Sequence, residues 1–131
     1  MLAKITVADY MTKKVVTLTK DTHVIDAVKK LLDHKITCAP VIDDHGRLIG
    51  LFSEKDSIKV FLDSVYNQSM GGKVGDHMST GTISVDADSS IVELAEKFDH
   101  SSVRSFPVFD EGEFVGIISR TDVLRALISL K

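Results

Sequence analysis

Apolar side chains recur at helical spacing in two parts of the chain that lie 67 residues apart. Residues three or four apart share one face of a helix, so each stripe predicts an amphipathic helix. The stripes consist of Val24, Ala27, Val28, Leu31 and Leu32 in the first part and of Ile91, Leu94, Ala95 and Phe98 in the second. The sequence SIVE (Ser90–Glu93) fits a capping box and predicts that the second helix begins there.

Strand-like sequences surround each of these helices in the same order. A short β-branched run comes before the helix, and two apolar runs joined by a short turn sequence come after it, which predicts a single strand followed by a hairpin. The runs are Val15–Leu18, Pro40–Asp43 and Leu48–Ser53 in the first part, and Thr82–Val85, Pro107–Asp110 and Phe114–Ser119 in the second.

A second helical stripe ends each part. It consists of Ile58, Phe61, Leu62 and Val65 in the first part and of Leu124, Leu127 and Ile128 in the second. Each part therefore reads β-α-β-β-α, a mixed α/β (α+β) fold. Because three strands and two one-sided helices cannot enclose a core alone, we expect the apolar faces to be buried where the two parts meet.

Direct self-comparison shows that the two parts are copies. VADYM (Val7–Met11) aligns with VGDHM (Val74–Met78), and GLFSEKD (Gly50–Asp56) aligns with GIISRTD (Gly116–Asp122). The predicted organisation is repeat 1 at residues 4–66, a linker at 67–73 and repeat 2 at 74–131.

Composition narrows the class of protein. The net charge of −3 without a Lys/Arg-rich run argues against a nucleic-acid or anionic-membrane partner. The sequence has no apolar run of membrane-spanning length and no signal-peptide pattern. The single cysteine, Cys38, fits a reducing compartment, so a cytoplasmic location is predicted.

Taken together, these motifs resemble a tandem pair of cystathionine-β-synthase (CBS) domains, or Bateman module, over residues 4–131. The resemblance implies a pseudo-twofold pair with two clefts between the repeats, where many members bind AMP, ATP or S-adenosylmethionine. In such members the aspartate of the repeated phrase accepts the ribose hydroxyls, the preceding serine and the helix N-terminus face phosphate, and main chain before the proline grips adenine.

The resemblance assigns two groups of residues in this chain to ligand. Cleft 1 would use Ser119, Asp122 and Thr22 with the segment Ile36, Thr37, Cys38 and Ala39. Cleft 2 would use Ser53, Asp56 and Ser89 with the segment Val103, Arg104, Ser105 and Phe106. Lys55 and Arg120 are further candidates for phosphate contact. The chemistry is sound, since a carboxylate accepts from vicinal hydroxyls and a helix N-terminus attracts anions.

Several of these residues have a second interpretation. A serine with an acid three residues later is also an ordinary helix cap, which stabilises a helix by about 1 kcal/mol without ligand. Arg104 either reaches phosphate or lies in solvent, and Phe106 either narrows a cleft or fills the core. Cys38 shows no sign of thiolate activation. The histidine spacing predicts no metal site.

The sequence leaves two hypotheses for function. The first is a regulatory module that needs no cofactor, senses an adenosyl ligand (AMP, ADP, ATP or S-adenosylmethionine), forms a homodimer and signals to a partner enzyme or transporter. The second is a ligand-free dimerisation or docking module with vestigial clefts. No catalytic triad or phosphate-binding loop is recognisable, so the chain is not expected to be an enzyme.

Overall fold

The computed structural model describes residues 4–67 and 71–129, and the chain divides into two compact units. One unit comprises Met1–Val15 with Ile83–Lys131, and the other comprises Val16–Thr82. Each unit thus contains most of one repeat together with the leading segment of the other repeat. The predicted linker, residues 67–73, and the predicted end of repeat 2 fall partly outside the described residues, at 68–70 and 130–131.

The unit Val16–Thr82 is built on one antiparallel hairpin. Its elements in chain order are α2 (Val24–Asp33), β1 (Cys38–Ile42), β2 (Leu48–Ser53), α3 (Glu54–Asn67) and the short α4 (Val74–His77). The predicted strand Val15–Leu18 is reduced to a single parallel bridge between Leu18 and Val41. Leu18 is the residue of this run that is fully buried, at 1% exposure, and it is the point where the run joins the hairpin.

The other unit contains a three-stranded sheet. Its elements are α1 (Val7–Tyr10), β3 (Val85–Asp86), α5 (Ile91–Asp99), β4 (Ser105–Asp110), β5 (Glu113–Ser119) and α6 (Arg120–Ile128). The strand order is β3-β4-β5, with β3 parallel to β4 and β4 antiparallel to β5. The predicted mixed α/β fold with two hairpins is therefore confirmed.

Helices α2 and α5 bury most of the stripes that predicted them. The buried positions are Val24, Ala27 and Leu31 in α2 and Ile91, Leu94 and Phe98 in α5. Leu32 departs from the prediction, because its side chain is 71% exposed. Ser90 is the N-cap of α5, where its Oγ accepts from the Glu93 amide at 3.1 Å, as the capping sequence predicted.

The burial predicted for the faces of α3 and α6 is wrong. The residues of both stripes are exposed, and they are Ile58, Phe61, Leu62, Val65, Leu124, Leu127 and Ile128. Helix α3 buries Val60 and Ser64 instead, and α6 buries Val123 and Ala126. Both helices are amphipathic, but the residues that contact the core lie next to the predicted stripes and not within them. Both units therefore display a row of apolar side chains on the outer side of their last long helix.

The leading segment of each repeat begins with one helical turn that docks beside the residues preceding α5 or α2. In α1, the Val7 amide donates to the Ser89 carbonyl at 2.9 Å. In α4, the Val74 amide donates to the Thr22 carbonyl at 2.8 Å. Both valines are fully buried, at 0% exposure. The VADY and VGDH sequences are therefore equivalent anchors, each placed in the compact unit of the other repeat.

The same leading segments then run against the second strand of the hairpin. Thr12 and Ile117 exchange two backbone hydrogen bonds, of 2.8 and 3.1 Å. Ser79 and Leu51 form the equivalent pair, with bonds of 2.8 and 2.9 Å. A Cβ atom on the adjacent Gly116 would lie 2.5 Å from the Thr12 carbonyl oxygen. The glycine of the repeated phrase thus admits the neighbouring backbone.

The turn between β1 and β2 is organised by Asp43. One of its carboxylate oxygens accepts from the amides of His45 and Arg47, at 2.8 and 2.9 Å, and the other accepts from the Arg47 guanidinium at 3.1 Å. The hydrogen bond from the Arg47 amide is the main cause that holds the pKa of Asp43 below its ordinary value of 3.8. The ionised carboxylate therefore stabilises the folded turn.

We expect this turn to make folding stability depend on acid pH. A carboxyl group whose pKa is lower in the folded chain stabilises the fold above its unfolded value of 3.8, and that contribution is lost as the pH falls through the lower folded value. Asp43→Asn should therefore destabilise the protein at pH 6 and make less difference near pH 2. Urea unfolding of both proteins at the two pH values measures this. A loss of equal size at both would contradict the role of the charge.

Candidate functional site

In repeat 1 the predicted ligand residue Asp56 lies at the first turn of α3, directly after β2. Its Oδ2 accepts from the Ser53 amide at 2.9 Å and from the Ser53 hydroxyl at 3.0 Å. The Asp56 amide donates back to Ser53 Oγ at 3.2 Å. A third donor, the Ser79 hydroxyl, lies 3.2 Å from Oδ1. Asp56 is half-buried, so its carboxylate is partly accessible.

In repeat 2 the equivalent residue, Asp122, lies at the first turn of α6. Its Oδ2 accepts from the Ser119 amide at 2.9 Å, and its own amide donates to Ser119 Oγ at 3.2 Å. The second carboxylate oxygen, Oδ1, is bound by the guanidinium of Arg125, one turn further along the helix. Only 2% of Asp122 is exposed, whereas the Arg125 side chain is 61% exposed.

Both serine–aspartate pairs are therefore helix caps, as the spacing predicted. The two junctions are not equivalent, however, because Ser79 supplies the extra donor in one and Arg125 supplies it in the other. A carboxylate has about four acceptor positions, so neither aspartate is saturated by the bonds described. The difference is one of access: Asp56 is half-open, and Asp122 is covered.

Each junction also touches the loop that precedes its own hairpin. The Glu54 amide donates to the Thr37 carbonyl at 2.9 Å, and the Arg120 amide donates to the Arg104 carbonyl at 3.1 Å. Within a unit, the structure therefore joins each serine–aspartate pair to a segment that the sequence had assigned to the opposite cleft. Each predicted cleft combines residues of both units, and the two clefts remain a prediction.

The remaining predicted positions lie near the start of α2 and α5. Thr22 is half-buried, and its Oγ1 lies 3.2 Å from the Thr19 amide and 3.0 Å from Thr19 Oγ1. Ser89 is held through its main chain, with its amide donating to the Asp86 carbonyl at 3.1 Å. Both residues stand directly before the N-cap of a helix, next to the partial positive charge of the helix N-terminus.

The predicted adenine segments differ in how far they are covered. The segment of repeat 1 runs from the half-buried Ile36, Thr37 and Cys38 to the fully buried Ala39. Phe106 is 3% exposed, and its ring centroid lies 4.8 Å from that of Phe98. This contact places Phe106 in the core, which was one of its two interpretations. Ser105 pairs with Ser119 at the start of the β4–β5 ladder.

The candidate phosphate contacts divide into two kinds. Lys55 and Arg104 are exposed at the surface. Arg120 is also exposed, but its guanidinium donates to the carbonyls of Val103 and Ser101, at 3.1 and 3.0 Å. The cation of Arg120 is thus committed to main chain in the structure, and the other two remain available for an anion.

Sequence reasoning missed two residues that touch the aspartates. Arg125 stands three positions after Asp122, which is the spacing of a helical ion pair, so that signal was present in the sequence. Ser79 lies 23 positions from Asp56 and belongs to the leading segment of repeat 2. Its contact depends on where that segment docks, which no local pattern shows.

Two kinds of site receive no support from the geometry. Within residues 4–67 and 71–129, no three side chains of the His, Cys, Asp and Glu types are placed so that they could hold a metal ion. None of the helices in the described part of the chain combines the length and the apolar character needed to cross a membrane.

Comparison with known proteins shows which protein family the two repeats match. The family model of the CBS domain matches twice, at residues 7–62 and 74–129. The chain is 27% identical over 121 residues to the uncharacterized protein MJ1225 of Methanocaldococcus jannaschii, a match that covers 92% of this chain and 42% of that protein. It is 29% identical over 159 residues to the chloroplastic CBS domain-containing protein CBSX1 of Arabidopsis thaliana, covering 96% and 65%. The chain thus spans less than two thirds of both relatives.

Solved structures show the same fold. The crystal structure of CBSX2 in complex with AMP is similar to this chain with a TM-score of 0.85 and 28% identity, over 96% of this chain and 98% of that one. The CBS domain pair of MJ0100, solved with 5′-methylthioadenosine and S-adenosyl-L-methionine, has a TM-score of 0.79 at 24% identity, over 96% and 98%. The fold predicted from the repeat is therefore shared with solved proteins across nearly the whole chain.

Proposed function

Because the chain belongs to the CBS domain family, as its two matched repeats show, we propose that it is a cytoplasmic regulatory module that binds an adenosyl ligand, with AMP as the first candidate. A relative of similar length and 28% identity was solved with AMP. The chain would act as a sensor and not as an enzyme. Its ligand would alter the arrangement that a partner protein recognises.

One observation carries this proposal: both units repeat the same strand-to-helix junction with a carboxylate fixed at its first turn. The Ser53 and Ser119 amides hold Asp56 and Asp122 by bonds of 2.9 Å each. A carboxylate fixed in this way can accept from ribose at its remaining acceptor positions without first losing side-chain freedom. The adjacent helix N-terminus offers partial positive charge to a phosphate.

The two positions should differ in affinity. Asp56 is half-buried, and its additional partner is the neutral hydroxyl of Ser79. Asp122 is 2% exposed and is bound by the Arg125 cation, which a ribose would have to displace or bypass. We therefore expect the first equivalent of AMP to bind at Asp56.

Isothermal titration calorimetry and thermal unfolding with AMP, ADP, ATP and S-adenosylmethionine test the proposal. A ligand that binds only the folded state raises the free energy of unfolding by RT ln(1 + [L]/Kd), which is about 2.7 kcal/mol at a concentration of 100 Kd. At least one of the four is expected to bind and to raise the melting temperature. Absence of heat and of any shift with all four at millimolar concentration would reject the proposal.

A ligand-free dimerisation module is the second candidate, and the exposed apolar rows on α3 and α6 are the surfaces through which it would associate. In the unit Val16–Thr82, helices α2 and α3 also frame a groove of 340 Å³ lined mainly by apolar atoms of residues such as Ile25, Val28, Ile58 and Phe61. Exposed apolar surface of this kind marks protein interaction sites. A second copy of the chain is the occupant we propose under either function, because both units carry the same kind of row.

Replacing one exposed apolar side chain should separate the two copies. Phe61 is 62% exposed on α3, and burial of a phenylalanine contributes about 1.5–3 kcal/mol. Phe61→Asp is therefore expected to yield a monomer in size-exclusion chromatography with light scattering, while the parent chain is a dimer. Ile83→Asp is the control, since Ile83 is equally exposed, at 66%, but lies outside the helices. A dimer that survives Phe61→Asp would contradict this interface.

A further inference from the structure

Arg120 binds three carbonyl groups of the loop between α5 and β4. Its guanidinium donates to the Val103 carbonyl through Nε at 3.1 Å and to the Ser101 carbonyl through Nη2 at 3.0 Å, and its amide donates to the Arg104 carbonyl at 3.1 Å. Within the loop, Ser101 Oγ accepts from the Val103 amide at 3.0 Å, and the Ser101 amide donates to the Phe98 carbonyl at 3.3 Å. Arg120 is thus the main link between this loop and the start of α6.

Repeat 1 lacks this link. The residue equivalent to Arg120 is Glu54, whose amide makes the matching bond to the Thr37 carbonyl at 2.9 Å. A carboxylate cannot donate to carbonyl groups, so the side chain of Glu54 has no means of holding its loop. That loop is fixed in a different way, by Lys35 at a φ of +54° and by the Ile36 amide, which donates to the Leu31 carbonyl at 3.0 Å.

We infer that Arg120 is a positioning residue that fixes the loop 101–104 and thereby strengthens adenosyl binding by the segment Val103–Phe106. This inference rests on the proposed function and on the assignment of that segment to the adenine base by the family resemblance. Val103 and Arg104 are exposed, so packing contributes little to their order. Ordering such a loop only when ligand arrives would weaken binding, and a loop already fixed avoids that penalty.

The bonds from Arg120 leave room for a ligand. A carbonyl oxygen has two lone pairs, so Val103 can accept from Arg120 and from one further donor. The arginine therefore supports the base contact without occupying it. In this role it does not touch the phosphate, which distinguishes it from the phosphate contact that the sequence suggested.

Hydrogen exchange tests the first half of the inference without ligand. In Arg120→Ala, the hydrogen-bonded amides of Ser101 and Val103 are expected to exchange about tenfold faster, because the loop loses two side-chain hydrogen bonds. Glu54→Ala is the matched control and should leave exchange at residues 35–38 unchanged. Unchanged exchange in Arg120→Ala would overturn the inference.

Calorimetry with AMP and with adenosine tests the second half. Asp122→Asn serves as the parent, so that the remaining binding reports the residues that the family resemblance assigns to cleft 2. Adding Arg120→Ala is expected to lower the affinities for AMP and for adenosine by the same factor, about five- to tenfold, because the effect comes from the segment that contacts the base. Arg120→Lys, which keeps the charge but not the two-carbonyl geometry, should weaken them nearly as much.

The other outcomes each have a defined meaning. Weaker AMP binding with unchanged adenosine binding would make Arg120 a phosphate contact and overturn the inference. Faster exchange with unchanged affinity for both would overturn the link to binding while the proposed function stands. If the unmutated chain binds neither compound, the proposed function fails and the inferred role in binding falls with it, whatever the exchange data show about the loop.

Discussion

Gly116→Ala is expected to lower the free energy of unfolding by about 2 kcal/mol, in the range typical of overpacked sites. The added Cβ would lie 2.5 Å from the Thr12 carbonyl oxygen, well inside van der Waals contact. Thr12 cannot move aside freely, because its amide and carbonyl are both bonded to Ile117. The strain therefore falls on the docked leading segment, whose anchor Val7 is fully buried.

Chemical denaturation followed by far-UV circular dichroism measures this effect. Gly71→Ala provides the matched control, since it makes the same change where the nearest atom to the new Cβ is His23 Nε2, at an ordinary 3.4 Å. The two variants should therefore differ clearly in denaturation midpoint. Equal midpoints would show that the leading segment does not pack on β5 as closely as the structure has it.

The double substitution Asp56→Asn with Asp122→Asn is expected to reduce AMP affinity by at least about tenfold. Hydrogen bonds to charged groups contribute about 1.5–3 kcal/mol, and about 1.4 kcal/mol corresponds to a factor of ten. Asparagine retains the shape of the side chain and one acceptor, but it loses the charge that strengthens bonds from ribose hydroxyls. Calorimetry with AMP on the parent and the variant gives the ratio directly.

Both aspartates are also capping residues, so the control must separate stability from binding. Asp76 accepts from the Lys73 amide at 3.3 Å in the short helix α4, which is the same capping role at a residue that is not itself assigned to the ligand. Asp76→Asn should affect stability alone and leave AMP affinity unchanged. Undiminished AMP binding by the double variant would remove the ribose role from Asp56 and Asp122, though not ligand binding itself.

Features that depend on local spacing could be predicted from the sequence. The stripes of α2 and α5 located both helices, and the turn sequences located both hairpins. The serine–aspartate spacing predicted the caps at Ser53 and Ser119, whose bonds the structure contains. Such patterns are readable because the residues that interact lie within one turn or one hairpin of each other.

Other features were mispredicted or missed because they depend on contacts between distant parts of the chain. The stripe that includes Ile58 and Phe61 was expected to be buried, yet α3 turns Val60 and Ser64 to the core. Apolar periodicity shows that a helix has an apolar face, but it does not show whether that face packs against the core of its own unit or against another molecule. Ser79 was missed for the same reason, since it reaches Asp56 from 23 positions away.

The sequence by itself determined the two repeats, the type and order of their main elements and the caps at the two junctions, since these follow from short-range periodicity and spacing. Only the tertiary structure decided that each leading segment docks in the unit of the other repeat. Docking of the first segment requires Gly116, and docking of the second brings Ser79 to Asp56. The tertiary structure also decided that Asp122 is covered while Asp56 is half-open. Such contacts form when segments far apart in sequence pack together, and packing of that kind has no periodic signature.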